Sequence, residues 1–438
     1  MTQQSTRRDF LKHSTLAGTA WWTATQSAFS ESKSPNEKLN IACIGVDHKG
    51  GHNIAQLTSQ NIVALCDIDA NYLDKAGKLY PKASRHRDYR VMLDEHAGKF
   101  DAVVISTADH NHAPATIRAL SLGKHVYCEK PLTHTVVEAR KIAELAAKKK
   151  GVATQMGTQI HANGNYRRVV EVIQSGAIGE VTEVYNWCNK GWSNGRFTKP
   201  DKPTPTNLDW DLWLGPAQAR PYSPNIHPAN WRRFWEYGTG TFGDMACHVM
   251  DLPFWALDLT YPTSVTATGP ELHPDGAPSS CKADYEFPAA GGRPALKFHW
   301  SDGGAHYDLV KQTNDSGGKS LSKWGLGVLF VGDKGMLAAD YGRYQLFPQD
   351  KFTEFQPPKK SIPDSIGHWN EWVHAAKTGA PTTCNFGYSG RLTETVLLGV
   401  VAFRTGKKLT WDAANLTAAN ASEADEFVSK EYRSGWEV

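Results

Sequence analysis

Between residues 39 and 156, short apolar runs alternate with longer stretches of helical period. The runs at 41–45, 62–67, 102–106, 125–129 and 152–156 have the length of buried strands. Between them, 113–122 is rich in Ala, Leu and Ile with Gly123 as a stop, and 135–150 ends on consecutive lysines that suit a helix C-terminus. Strand and helix taking turns predicts a parallel sheet covered on both faces, so residues 38–157 read as a Rossmann-like dinucleotide-binding domain.

After a further helix predicted over 164–175 the pattern changes. Turn signals at Ser175-Gly176, Gly179-Glu180 and Asn194-Gly195 separate strand-like stretches, the first at 181–186. More strands are expected at 295–300, 327–331 and 336–339, followed by helices over 366–377 and 389–405. Residues 158–438 therefore read as an α+β substrate-binding domain on a mostly antiparallel open sheet. The Pro-, Lys- and Thr-rich stretch 198–206 is either a cover over a cleft or a plain surface excursion.

Ahead of both domains stands Ser5-Thr6-Arg7-Arg8-Asp9-Phe10-Leu11-Lys12, a twin-arginine pattern, followed by a run to Ser30 that is too short and too polar for a strong membrane span. Residues 1–30 read as a cleavable twin-arginine signal, with Ala28 and Ser30 at the small positions, and 31–37 as a linker. Such signals export proteins already folded, so the expected location is periplasmic or otherwise exported, with the twin-arginine translocase as a partner on the way.

With 438 residues the chain is long enough for two full cores. Its formal charge of +3 falls to +1 when Arg7, Arg8, Lys12 and Asp9 leave with the signal, so nothing points to nucleic acid or to an anionic membrane surface. Many aromatic residues fall between Trp187 and Trp255, where flat rings suit carbohydrate as well as they suit a core. Seven cysteines is an odd number and implies no closed disulfide framework; Cys43, Cys66 and Cys128 sit in apolar runs and read as packed small hydrophobes.

The first strand runs into Gly45-Val46-Asp47-His48-Lys49-Gly50-Gly51. Asp47 stands where the dinucleotide fingerprint has a glycine that lets the backbone approach the diphosphate. Either its side chain turns away or binds Lys49, or the loop no longer holds a dinucleotide. Asp67, closing the second strand, is placed to accept the ribose hydroxyls and to repel a 2′-phosphate, which favours NAD over NADP; capping of the next turn is its other reading.

Lys130 follows a buried strand and precedes Pro131, which fixes the turn. A lysine so placed can hydrogen-bond a substrate hydroxyl and stabilise the alkoxide as hydride leaves, with Glu129 holding it; a surface ion pair is the plainer reading. Asp244 and His248 are one helical turn apart and share a face. The histidine can take a hydroxyl proton while the aspartate orients it. An Asp N-cap beside a core histidine is the alternative, and with no third ligand nearby in the sequence no metal is expected.

These residues carry a resemblance. Cys128-Glu129-Lys130-Pro131-Leu132 resembles the strand-end motif of the glucose-fructose oxidoreductase, inositol dehydrogenase and MocA family. Thr107-Ala108-Asp109-His110-Asn111-His112 is similar to its Thr-Pro-x-x-x-His loop with alanine replacing proline, and Gly240-Thr241-Phe242-Gly243-Asp244-Met245-Ala246-Cys247-His248 to its Asp-x-x-x-His segment. The similarity extends to Phe330-Val331-Gly332-Asp333-Lys334-Gly335. The resemblance implies hydride transfer between nicotinamide and a secondary alcohol of a sugar or cyclic polyol, with Lys130 and His248 as acid/base groups and Asp244 beside them. The cofactor residues it implies are Gly45, Val46, Asp47, Gly50, Asp67, Thr107, His112, Glu129 and Lys130. Trp192, Trp231, Arg232 and Tyr237 are placed at the substrate wall on composition and position alone.

Export sharpens the reading, because free NAD is expected to be scarce outside the cytoplasmic membrane. A retained cofactor is then recycled by a second substrate, or the substrate takes its hydride back after eliminating a glycosidic substituent. The latter scheme is that of the NAD-dependent glycosidases of the superfamily, and it needs a base near C2, for which Tyr237 or His161 is placed. A non-catalytic carbohydrate binder is the third reading. The resemblance also implies a homo-oligomer.

Overall fold

Six strands form the first sheet: β1 (Asn40–Ile44), β2 (Asn61–Cys66), β3 (Ser84–His86), β4 (Ala102–Ile105), β5 (His125–Cys128) and β6 (Thr154–Met156). All pair in parallel in the order β3-β2-β1-β4-β5-β6. Five of them lie where apolar runs predict them; β3 is a polar edge strand without such a run. The strand order reverses between β1 and β4, and a crevice for a ligand opens beyond the carboxyl ends of strands at such a point. This computed structural model describes residues 37–437 apart from 201, so the twin-arginine stretch, the run to Ser30 and nearly all of the linker lie outside the described residues.

The helices follow from capping and burial. Val136–Lys148 begins with a capping box in which Thr135 and Glu138 exchange side-chain and backbone hydrogen bonds. It packs on the long helix Phe386–Thr405, which starts at Phe386 behind the cap residue Asn385 rather than at Ser389. The first sheet also receives a helix from far along the chain. Trp372 and Ala375 of the helix His368–Thr378 are buried with Val104, Tyr127 and Ala153, so the domain expected to end at 157 is completed by residues more than two hundred positions later.

Nine strands form the second sheet, β7 (Val181–Cys188), β8 (Ser264–Thr268), β9 (Lys282–Phe287), β10 (Leu296–Asp302), β11 (Leu326–Gly332), β12 (Gly335–Ala339), β13 (Tyr344–Phe347), β14 (Leu409–Asp412) and β15 (Thr417–Ala418). Their order is β13-β12-β11-β7-β10-β9-β8-β14-β15, antiparallel except for the β7–β10 pair. Alternate residues divide the two faces. Val184, Phe298 and Phe330 join the main core with the helix Gly240–Val249, whereas Trp187, Leu329 and Ala338 are covered by Val310, Leu321 and Trp324. All seven cysteines are buried and unpaired. Among the described residues no helix is long and apolar enough to cross a membrane.

Candidate active site

A cleft of about 750 Å³ lies at the reversal point of the first sheet and is closed from the other side by residues 190–248 and Tyr341. Gly45 ends β1 at φ +78°, and a Cβ there would lie 2.5 Å from the Ser106 carbonyl oxygen, so the turn requires glycine. Gly50 has a different task from the cofactor contact expected of it: a Cβ there would meet the Gly45 carbonyl oxygen at 2.1 Å, and the residue is absent from the cleft wall. It lets helix and strand close up. Val46 and Asp69 donate their backbone N–H groups to the two Asp67 oxygens at 2.9 and 3.0 Å. Burial pushes the Asp67 carboxyl up to about 6 against the pull of these two bonds.

Asp47 is held by Lys75 Nζ at 2.7 Å, and not by Lys49, which lies 3.4 Å from Glu129. Burial works upward on Asp47, and the Lys75 hydrogen bond and charge overcome it, so the carboxyl sits below its ordinary value. Nothing in the sequence around the loop points to Lys75, which is 28 positions away.

Thr107 borders the cleft and His112 does not. The two His112 ring nitrogens face the Pro131 and Thr107 carbonyl oxygens at 2.7 and 3.0 Å, an arrangement only the imidazolium satisfies from both sides. Burial opposes that charge, but Cys128, Asp109 and the Pro131 carbonyl hold His112 up at about 9. Its role is to tie the 107–112 loop to the Lys130-Pro131 turn. Glu129 is buried and accepts from Asn53 Nδ2 at 2.9 Å and from the Lys130 backbone N–H at 3.3 Å.

The ammonium of Lys130 is placed differently from the expectation that Glu129 holds it. It is ion-paired to the Asp244 carboxylate and also donates to the Asp244 carbonyl oxygen at 3.2 Å. Arg232 Nε reaches the same Asp244 oxygen at 2.9 Å, and its guanidinium lies 3.7 Å from Asp109. Burial alone would raise the Asp244 carboxyl; Arg232 and Lys130 override it and hold it well below the usual carboxylate range. Gly240, at φ +64° and with no room for a Cβ beside Ala277, opens the helix that carries Asp244 and His248 to the cleft. Burial, with the Lys130 charge added, pushes His248 down to about 3, so its ring is neutral.

Trp192, Trp231 and Arg232 border the cleft as expected. Tyr237 does not: it is fully buried behind the wall, with its ring 4.8 Å from Trp213 and 5.2 Å from His110. His161 is also off the wall, 2% exposed, stacked on Trp255 at 4.2 Å and sharing its Nδ1 between the Asp251 oxygens at 2.9 and 3.0 Å. With Cys384 these make a group of three potential ligand atoms within 4.8 Å, but Asp251 is already engaged by His161 and by Tyr388 at 2.7 Å. Gln159, Lys190 and Tyr341 are wall residues that composition did not single out.

The excursion around 198–206 leads into a strap. Ala70 N–H bonds the Asn207 carbonyl at 2.9 Å, Asp209 N–H bonds that of Ile68 at 3.0 Å, and Arg87 binds both carbonyls. Arg433 near the C-terminus bonds the Asp211 and Gly215 carbonyls at 2.8 and 2.9 Å. The strap thus lies against the end of β2, beside Asp67.

A Rossmann crevice with an acidic residue closing β2 and a glycine at the tight turn after β1 fits a dinucleotide. The comparisons agree. The NAD-binding Rossmann fold of the GFO_IDH_MocA oxidoreductase family matches residues 39–158, and that family's C-terminal alpha/beta domain matches 163–303, together more than half of the chain. The chain belongs to the Gfo/Idh/MocA oxidoreductase family. It is 28% identical over 169 residues to the inositol 2-dehydrogenase of Salmonella typhimurium, covering 38% of this chain and 48% of that one. Over 161 residues it is 29% identical to the alpha-N-acetylgalactosaminidase of Shewanella oneidensis, covering 33% and 34%. The chain therefore spans about half or less of the curated relatives it matches. The fold is that of the WlbA dehydrogenase from Bordetella pertussis, solved with NADH and UDP-GlcNAcA, at a TM-score of 0.58 and 17% identity over 86% of this chain and 99% of that one.

Proposed function

We propose that this chain is an exported NAD-dependent oxidoreductase acting on a secondary alcohol of a sugar or cyclic polyol, with its cofactor retained between turnovers. The observation that carries the reading is the meeting of Lys130, Asp244, Arg232 and His248 in a cleft that also holds Asp67 and the Gly45 turn. Bound NAD supplies the hydride acceptor. Lys130 Nζ donates to the substrate oxygen and stabilises its negative charge, while Asp244, itself fixed by Arg232, sets the direction of that ammonium. The neutral His248 ring accepts the hydroxyl proton as hydride leaves, and the Asp244 carboxylate, one helical turn away, favours the imidazolium so formed. The alcohol carbon loses hydride and becomes a carbonyl. Trp192 and Trp231 offer flat apolar faces to a sugar ring.

The twin-arginine pattern supports export, and the strap over the β2 end supports cofactor retention. A homo-oligomer remains the expectation from the family.

The likeness to an alpha-N-acetylgalactosaminidase favours a second reading, redox-neutral cleavage of a glycoside by transient oxidation and elimination. That reading needs a base at C2; neither Tyr237 nor His161 faces the cleft, whereas Lys190 and Tyr341 do. Denaturing the purified mature protein and counting NAD released per chain tests retention. The loaded protein is then offered polyols, sugars and nitrophenyl glycosides. Ketone formation with reduction of bound NAD supports the oxidoreductase, nitrophenol release without net reduction supports the glycosidase, and neither product leaves a binder.

A further inference from the structure

We infer that Lys75 and Tyr72 are positioning residues that allow the Asp47-His48 turn to serve where the dinucleotide fingerprint carries glycine; this rests on the reading that the cleft holds NAD. Both belong to the helix Ala70–Leu79 and, three positions apart, share one face of it. Lys75 Nζ lies 2.7 Å from Asp47 Oδ1, and Tyr72 Oη lies 3.2 Å from His48 Nε2 with the two rings edge to face at 5.4 Å. His48 has φ +47°, a backbone region that side-chain-bearing residues rarely adopt without support from their surroundings.

The departure from the glycine pattern, Asp47, and the positive-φ residue His48 thus stand side by side, and each is met by a side chain from the same helix. Asp47, His48 and Tyr72 all border the cleft. A carboxylate there repels the diphosphate of a dinucleotide unless a cation compensates it. The Lys49 ammonium lies beside Glu129, the Arg87 guanidinium is bound to the Ile68 and Asn207 carbonyls, and the carboxylates of Asp67 and Asp69 add to the repulsion. Lys75 is left as the compensating charge. Its side chain is 66% exposed, so its replacement removes charge from the loop without opening the core.

The test is calorimetric titration of NAD into the cofactor-stripped mature protein at low and high salt. Lys75→Ala and Lys75→Gln are expected to weaken NAD roughly fivefold to tenfold at low salt, with a smaller loss at high salt, while Lys75→Arg stays within about twofold of the parent. Adding Asp47→Asn to Lys75→Ala is expected to restore affinity, since the charge that needed compensation is gone. Thermal midpoints of the NAD-free proteins serve as the control for folding. Unchanged affinity in both Lys75→Ala and Lys75→Gln at low salt, or a double variant no better than Lys75→Ala, overturns the inference. Failure of the parent protein to take up NAD overturns the cofactor reading itself, a result distinct from either.

Discussion

Lys130, at the end of a strand in the first sheet, is ion-paired with Asp244, carried on a helix that packs beneath the second, and so the bond joins the two halves of the molecule at the point where chemistry is proposed. The side chains are only 12% and 5% exposed, and Arg232 shares the same carboxylate. Replacing Lys130 by Met leaves Asp244 paired with Arg232; replacing Asp244 by Asn leaves two cations facing each other. Turnover is expected to fall by about 10²- to 10⁴-fold in both. Asp244→Asn is expected to cost more stability, toward the roughly 3–5 kcal/mol typical of a broken buried pair. Steady-state rates and urea unfolding of the two variants check this, and wild-type turnover in Lys130→Met would remove its role.

Asp67 gives a second expectation. Asp67→Ala is expected to weaken NAD relative to NADP, because the carboxylate that accepts ribose hydroxyls and repels a 2′-phosphate is gone. Since burial pushes this carboxyl up to about 6, NAD binding by the parent is expected to weaken as pH falls below 6, and the Ala variant to lose that dependence. Dissociation constants for both cofactors across pH 5–8 decide it; an unaltered preference removes the basis for choosing NAD.

His368 permits a test away from the chemistry. Burial, with His161, Lys49 and His248 nearby, pushes it down to about 3, so the ring stays neutral in the folded protein while the unfolded chain takes up a proton below about 6.5. The stability this represents is fully present above that pH and is lost as pH falls toward 3. Between pH 7 and pH 5 the loss is on the order of 2 kcal/mol. His368→Gln is expected to gain on the parent by that amount over the same interval, measured by urea unfolding at both pH values. A difference that does not move with pH contradicts the assignment.

The first sheet was readable because β1, β2, β4 and β5 are dense in Ile, Val, Ala and Cys and punctuated by glycine and helical stretches. β9 is hard to read from sequence: Ala283, Tyr285 and Phe287 alternate with Lys282, Asp284 and Glu286, so half of the strand is charged. At the site, motifs identified Lys130, Asp244 and His248, but not who holds whom. The Lys130–Asp244 bond spans 114 positions and the Lys75–Asp47 bond 28, distances at which no local pattern survives. Tyr237 lies behind the wall, and its place is hidden for a related reason: an aromatic residue in a rich cluster carries no mark in the sequence that separates a wall from the packing behind it.

The helix His368–Thr378 has a consequence for how the molecule is made. Trp372 and Ala375 cover an apolar patch formed by Val104, Tyr127 and Ala153, all of which are synthesised far earlier. A growing chain carries that patch bare until residue 378 has left the ribosome, and exposed apolar surface of this kind is prone to misassociation. The nucleotide-binding half therefore cannot be excised as a module with its own finished core. Its last wall is delivered more than two hundred residues after β6, so the first sheet gains its full cover only once that distant helix has emerged.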